Sequence, residues 1–434
     1  MKKKISKSKQ FKSFFLLFSS SIASIIALVS CQNTANDQAA VEEKNFYLKH
    51  NEIIKTTKEN KNFQEQKAVI FNVNSDMDFS NALSKSFKHV FSVIEGEATP
   101  SLRIENIEDT NIEATFFRMF NDYIDQGFNI FAFNSPKLVS SFSLWLTAPN
   151  NQETLKEKNI KILTFDASKQ LSKIGNNDSL ISFNFLPEDV NWIAGYFASS
   201  YLAQNYKEEK QRKILIFNNN RDDEHQMNKT LGFLAGILSW NKNNPNLKVK
   251  VDQNSDDIAF INNDEDKIRT FLSNPNNKEA KILFVATNSL IPLVYKYSDK
   301  ANQKLIVNNF KNNEIKPSDI NPFLIINEDL KLLFYKLIYD LYTKKVGTND
   351  SLLLRNGDKN IIFYVSYKDK FYSFSSKFNP ANQKLFNEAL NKYKDIVRDN
   401  FPNSSRYLLD TKQVASEEIS NSLSRLLTDI HTIK

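Results

Sequence analysis

From residue 67 onward, short apolar runs end abruptly in Asn, Ser or Asp, and helically spaced stretches follow them. The runs are Ala68-Val69-Ile70-Phe71-Asn72, Ile130-Phe131-Ala132-Phe133-Asn134 and Ile162-Leu163-Thr164-Phe165-Asp166. Later ones are Ile214-Leu215-Ile216-Phe217-Asn218, Ile282-Leu283-Phe284-Val285-Ala286-Thr287 and Leu305-Ile306-Val307-Asn308. Continuous apolar character without alternation predicts strands covered on both faces, as in parallel sheets. Between the runs, Ile112, Phe116, Met119, Phe120, Tyr123 and Ile124 share one face of a helix over 111–126, with Asn111 as cap and Gly127 as stop. Trp192, Ile193, Tyr196, Phe197 and Tyr201 do the same over 189–204, and Leu332, Leu333, Tyr335, Leu337 and Ile338 over 328–345. This alternation predicts doubly wound α/β architecture. Ligands of such sheets gather beyond the carboxyl ends of the strands, which is where the polar residues fall.

Six or seven such units exceed one comfortable sheet, so the pattern predicts two similar lobes. Residues 67–184 form the N-terminal lobe and 185–307 the C-terminal lobe, with crossings near Ser182–Pro187 and Val307–Asn312. Residues 308–345 then return to the first lobe. Ile361-Ile362-Phe363-Tyr364-Val365-Ser366-Tyr367 and Phe371-Tyr372-Ser373-Phe374 flank Lys368-Asp369-Lys370, a pattern that predicts a β-hairpin. A helix over 381–398 follows, so that 346–403 completes the lobes. The polar tail 404–434 carries Ile419, Leu423, Leu426, Leu427 and Ile430 on one face of a late amphipathic helix.

Composition narrows the function. The chain has 434 residues, 41% of them hydrophobic, which is ample for two cores. Its net charge of +7 suggests nucleic acid until it is located. Lys2, Lys3, Lys4, Lys7, Lys9 and Lys12 lie in residues 1–31, which hold no acid; removing them from 57 basic residues leaves 51 against 50 acidic ones. The remainder has no basic footprint for phosphates, and nucleic acid is not an expected partner. A single cysteine excludes an internal disulfide and cysteine-rich zinc, haem c and iron–sulfur sites.

That cysteine sits at the end of a leader. Met1–Ser13 is basic, and Phe14–Ser30 is an apolar run slightly short for a transmembrane span. It closes on Leu28-Val29-Ser30-Cys31, which resembles the bacterial lipobox. The resemblance implies that 1–30 is a lipoprotein signal peptide and that Cys31 carries lipid, anchoring the chain on the extracellular face of the cell membrane. Each buried acyl CH₂ contributes about 0.8 kcal/mol, so several chains hold a protein stably. The alternative is a plain anchor helix with an incidental cysteine. Residues 31–66, polar and mixed in charge, read as a flexible tether.

Catalytic signals are absent from the sequence. It has no G-x-x-x-x-G-K-[ST], no G-x-G-x-x-G, no G-x-S-x-G and no HExxH. His50, His89, His225 and His431 are scattered and read as surface or packing residues. The acidic runs Asp222-Asp223-Glu224, Asp256-Asp257 and Asp264-Glu265-Asp266 read as solvated loops. The expectation is a cleft that binds without catalysis, cofactor or metal.

A family resemblance sharpens this. Asp76-Met77-Asp78-Phe79-Ser80-Asn81 is similar to the D-x-S-F-N-Q of the basic membrane protein (PnrA-like) lipoproteins, keeping Asp76 and Phe79. Phe183, Glu188-Asp189 and Trp192-Ile193-Ala194-Gly195-Tyr196 resemble that family's F-x-x-x-E-x-x-x-F-L-A-G-Y. Gly232-Phe233-Leu234-Ala235-Gly236, with Asn244-Pro245 after it, matches the family's G-F-x-A-G and NP. Asp166 ends a strand where the family commonly has an aspartate. The likeness runs, with gaps, from about 67 to 375. It implies a type I periplasmic-binding-protein fold, two doubly wound lobes joined by hinge crossings, in a substrate-binding component of a nucleoside ABC importer. Permease and ATPase subunits would be its partners.

By the same resemblance Phe79 and Phe233 would offer π-faces to a nucleobase, a contact of about 1–3 kcal/mol per base in single-stranded systems. Asp166 would accept from ribose hydroxyls, and Asn134, Ser135 and Asn309 would read base or sugar edges, with Asp76, Ser80 and Asn81 on the same loop as Phe79. Inward packing for Phe79 and Phe233, and helix capping for Asp166, stay open. The family's glycine-rich turn is Thr287-Asn288-Ser289 here, its V-D-x-D is Val307-Asn308-Asn309-Phe310, and its Lys near Ile326-Asn327-Glu328 has no counterpart. These departures leave room for a second function, a surface adhesin or host-interaction lipoprotein of the same fold without transport.

Overall fold

The computed structural model describes residues 45–59, 65–73, 77–96, 98–166, 177–219, 224–251, 264–310, 322–346, 371–397 and 419–433, with short pieces at 174, 259–260, 351–353, 361–365 and 367. The leader, Cys31 and Asp76 lie outside the described residues. The chain divides into two compact units, Met1–Gln64 and Glu65–Lys434. In the first unit residues 45–58 are helical, a correction to the tether expected over 31–66. Phe46, His50 and Ile54 recur every fourth residue, and the Phe46 and His50 rings lie 4.1 Å apart.

The second unit begins with β1 (Ala68–Val73), α1 (Met77–Glu95), β2 (Leu102–Ile107), α2 (Ile112–Asp125), β3 (Ile130–Phe133), α3 (Pro136–Trp145), α4 (Asn151–Glu157), β4 (Lys161–Phe165) and β5 (Leu180–Phe185). Next come α5 (Pro187–Asn205), β6 (Lys213–Asn218), α6 (Glu224–Asn243), β7 (Lys250–Val251), β8 (Ala259–Phe260) and α7 (Glu265–Ser273). Then follow β9 (Ile282–Val285), α8 (Ile291–Tyr297), β10 (Lys304–Phe310), β11 (Leu324–Glu328) and α9 (Leu330–Tyr342). β12 (Ile361–Val365), β13 (Tyr372–Ser376), α10 (Pro380–Val397) and α11 (Ile419–Thr432) complete it.

The strands form two sheets. The first runs β12-β5-β4-β3-β1-β2, with every neighbour parallel. The second runs β13-β11-β10-β9-β6-β7, with β8 also on β6; β13 is antiparallel to β11 and the others are parallel. Each sheet reverses its winding once, between β1 and β3 in the first and between β6 and β9 in the second. Beyond the strand ends at these reversals lie the crevices of doubly wound folds. The architecture is thus α/β with two doubly wound lobes. The central strands are fully buried, as their unbroken apolar runs predict. Phe71, Phe116, Phe120, Phe131, Phe133 and Phe142 pack into one aromatic core in the first lobe, many edge to face. On α11, Leu423, Leu426, Leu427 and Ile430 are buried, and the helix packs on α6 and β7.

The chain passes between the lobes three times: through Phe185–Pro187, through Glu328–Leu330 and between β12 and β13. Two expectations are corrected here. The second crossing follows β11, not β10, because Val307-Asn308-Asn309 continues into a strand paired on both sides. The hairpin expected over 361–374 does not form, since β12 joins β5 in the first sheet and β13 joins β11 in the second. The crossings bond to one another. Leu186 N donates to Val365 O (2.8 Å) and Asp329 N to Phe371 O (3.0 Å), while the Phe185 and Phe371 rings stack 5.2 Å apart.

In the second lobe α5 lies backbone to backbone against α6. A Cβ on Gly195 would stand 2.1 Å from Phe233 O, one on Gly236 2.2 Å from Trp192 O, and one on Gly232 2.6 Å from Glu188 Cα. The two motifs that carry the family resemblance are therefore the two sides of one helix contact. Gly195→Ala must force these backbones apart, and its cost is expected at about 1–3 kcal/mol or more. Urea denaturation of the variant against the parent chain measures it; an unchanged midpoint would refute the close contact.

Candidate functional site

At the carboxyl ends of the strands, polar side chains from both lobes meet. Asp166 follows β4 in the left-handed region, at φ 47, where Asp is tolerated better than most residues. It is held there because its N–H donates to Phe183 O (2.9 Å) and its Oδ1 accepts from Phe185 N (2.7 Å). Its other oxygen lies 3.3 Å from Nδ1 of His225, in the first turn of α6. That contact joins the lobes. Nε2 of His225 is 3.2 Å from Glu328 at the end of β11, and Glu328 pairs with Lys229 of α6 at 2.6 Å. Glu328 and Lys229 are 1% and 2% exposed, so the pair is desolvated.

Burial and the Lys229 charge oppose protonation of His225, but Glu328 and Asp166 outweigh them and hold the imidazole above its ordinary range, cationic. Burial pushes Glu328 upward, yet Lys229 and His225 overcome it and keep the carboxylate ionised. Glu188, in the first turn of α5, behaves differently. Burial raises its pKa to about 8, and one of its carboxyl oxygens has no hydrogen-bond partner among the described residues. Beside it, Asp189 accepts from the Tyr393 hydroxyl at 2.7 Å. Burial also pushes the Tyr372 hydroxyl well up.

The residues singled out from sequence fall into three groups. Phe79 is 6% exposed, with its ring against Phe165 (5.4 Å), Phe185 (6.0 Å) and the His225 imidazole (6.4 Å). It therefore stands with Asp166 where the lobes meet. Asn134 and Ser135 serve local structure: the Asn134 amide accepts from Val73 N (2.9 Å) and donates to Val73 O (3.2 Å) and Ser80 Oγ, and Ser135 caps α3. Phe233 is fully buried and stacks on Phe284 with centroids 3.9 Å apart, so both the ring and its faces belong to the core. Asn81 is exposed on α1, and Asn309 lies near the end of β10, paired with Asn327 of β11.

Sequence reasoning missed His225, Lys229, Glu188 and Glu328. His225 is a correction: it is neither a surface residue nor simple packing, but the link between two carboxylates. The available signal was its place at the end of Asp222-Asp223-Glu224-His225, one helical turn before Lys229. Two cavities, of about 470 and 430 Å³, lie at the opposite, amino-terminal edge of the second sheet, near Lys304 and Lys213. Among the described residues no group of three or more His, Cys, Asp or Glu is arranged to hold a metal ion.

Two substitutions test the electrostatics. Glu328→Gln leaves Lys229 and His225 buried without their shared counter-charge, and a loss of about 3–5 kcal/mol is expected in urea denaturation. A loss below 1 kcal/mol would show the cluster to be solvated. Glu188 has a raised native pKa, so between about pH 4.5 and 8 the native state holds a proton that the unfolded state lacks, and stability falls as pH rises. Glu188→Gln should flatten that decline, read as melting temperature at pH 5 and pH 8.

No family model matches the chain, and no curated protein matches it. Among solved structures, an ABC transporter solute-binding protein from Conexibacter woesei DSM 14684 matches with a TM-score of 0.50 at 8% identity, over 78% of this chain and 99% of that one. A transcriptional activator of the comK gene from Bacillus halodurans matches at 0.49 and 12%, over 81% and 99%. An ABC transporter solute-binding protein from Aeropyrum pernix K1 matches at 0.45 and 11%, over 85% and 90%. The fold is that of the type I periplasmic-binding proteins, two doubly wound α/β lobes joined by three crossings.

Proposed function

We propose that this chain is the solute-binding component of an ABC importer. It holds a small solute of the nucleoside class between its lobes without transforming it, and lipid on Cys31 tethers it to the outer face of the cell membrane. The observation that carries the proposal is the meeting of Asp166 and Phe79 from one lobe with His225 from the other, at strand ends beside three bonded crossings. Opening about those crossings separates Asp166 from His225 and uncovers the Phe79 ring. A bound solute then takes their place: its donors reach Asp166 through charge-assisted hydrogen bonds, and its ring lies on Phe79. The closed form would dock on a permease, with ATP hydrolysis left to other subunits.

One observation favours the second function, a surface lipoprotein without transport. Asn134 and Phe233, both implied as ligand contacts, are spent on internal partners. Calorimetric titration of the protein with nucleosides, nucleobases and sugars separates the two. The importer component is expected to bind a nucleoside, and Asp166→Asn and Phe79→Leu each to weaken it about tenfold, or 1.4 kcal/mol. Folded protein giving no heat with any of these solutes would sink the importer function. For the anchor, Cys31→Ala is expected to move the protein from the detergent-rich to the aqueous phase on Triton X-114 separation; unchanged partitioning would refute lipidation.

A further inference from the structure

The second lobe carries a set of polar groups that neither the ion cluster nor the fold consumes. By sheet register Phe217, Val285 and Val307 lie level on β6, β9 and β10, and their side chains share one core cluster. Two residues further along each chain come Asn219, just past β6, Thr287, just past β9, and Asn309, on β10. Asn288 follows Thr287 directly. The Oδ1 atoms of Asn219, Asn288 and Asn309 are all buried, and none has a hydrogen-bond partner among the described residues. Thr287 is different: it accepts from Asn219 N and donates to Asn218 Oδ1, both at 3.1 Å, so it braces the rim from inside.

Three buried carboxamide oxygens without partners at neighbouring strand ends are unusual, because a buried polar atom without a partner costs stability and native structures rarely keep one. They also stand at the winding reversal of the second sheet, between β6 and β9, where a doubly wound sheet offers its crevice. Asn308, beside Asn309, donates to Asn191 Oδ1 of α5 at 3.0 Å, while its own Oδ1 is likewise buried without a hydrogen-bond partner among the described residues.

Resting on the solute-binding proposal above, we propose that Asn219, Asn288 and Asn309 form a wall that recognises the hydroxyl groups of an uncharged, polyhydroxylated solute, such as the sugar part of a nucleoside. A carboxamide accepts from and donates to hydroxyls at once, which suits neighbouring hydroxyls on a ring. The charged groups nearest in the cluster already answer one another, Asp166 with His225 and Glu328 with Lys229 and His225. The wall therefore selects by hydrogen bonding, and a charged solute finds no free counter-charge in it.

The test uses the full chain in detergent with uridine, 2′,3′-dideoxyuridine, uracil, D-ribose and uridine 5′-monophosphate as calorimetric probes, and Asn288→Leu and Asn309→Leu as variants. The expected result is binding of uridine or ribose, at least tenfold weaker binding of the dideoxy compound, and loss of uridine or ribose binding in both variants. Because each Leu removes an orphaned polar atom, both variants are also expected to melt no lower than the parent chain without solute. A merely structural asparagine would lower it. Equal affinity for uridine and dideoxyuridine, preference for the monophosphate, unaltered binding by the variants or a lowered melting temperature would each overturn the wall while leaving solute binding in place. Silence of the folded parent chain toward every probe would overturn both.

Discussion

The contact between α5 and α6 is the constraint from which the rest of the second unit follows. The chain has only eight glycines and spends three of them, Gly195, Gly232 and Gly236, where these helices touch backbone to backbone. A side chain at any of the three would strike main-chain atoms, which cannot rotate away as a flexible side chain can. The approach fixes more than a spacing. Gly232 faces the backbone of Glu188, so the first turn of α5 lies beside the third turn of α6, one turn past Lys229 and two past His225. The buried ion cluster is thus a consequence of the helix contact, and the motifs that mark the family resemblance act by shape before they act by chemistry.

Burying His225, Lys229, Glu328 and one side of Asp166 is expensive, since each ion loses several kcal/mol of hydration. The arrangement limits that cost by alternating sign: Lys229, Glu328, His225 and Asp166 run in sequence at 2.6, 3.2 and 3.3 Å. Each charge has an opposite neighbour, and the total is zero. Glu188 is the exception. Burial favours its neutral form, and the charges of Asp189 and Asp166 add to that against the opposing pull of His225. The neutral chain and the +7 of the whole sequence are reconciled the same way, because the excess lysines lie in residues 1–31 and not in the folded unit.

How much was legible follows from what each signal measures. All six apolar runs are strands and the three spaced stretches are helices, because burial on both faces or on one leaves a periodicity in the chain itself. β2 was invisible. It is an edge strand whose Arg103, Ile104 and Asn106 are exposed, so its polar pattern resembles a loop. The second crossing was misplaced for a different reason: local sequence shows that a strand ends but not which sheet the next one joins. Lys368-Asp369-Lys370 looks like a hairpin turn, yet the strands on either side of it, β12 and β13, belong to different sheets. The site was half legible. Asp166 and Phe79 stand out at strand ends and helix starts, whereas Glu328, His225 and Lys229 become partners only through α6 and β11, about a hundred residues apart.

The cluster also divides unevenly between the lobes, and that asymmetry bears on opening. His225, Lys229 and Glu328 all belong to the second lobe and remain together when the lobes part. Asp166 belongs to the first and loses its only cationic partner in the cluster, although its Oδ1 stays bonded to Phe185 N. The cost of opening therefore falls mainly on one carboxylate oxygen and on the apolar contacts of His225 with Phe79 and Phe185. A ligand shifts such an equilibrium only by its differential affinity for the two states. On the binding proposal, a solute that donates to Asp166 and lays a flat face on Phe79 replaces both losses at once. One that offers a cation alone meets His225, already charged, and gains less.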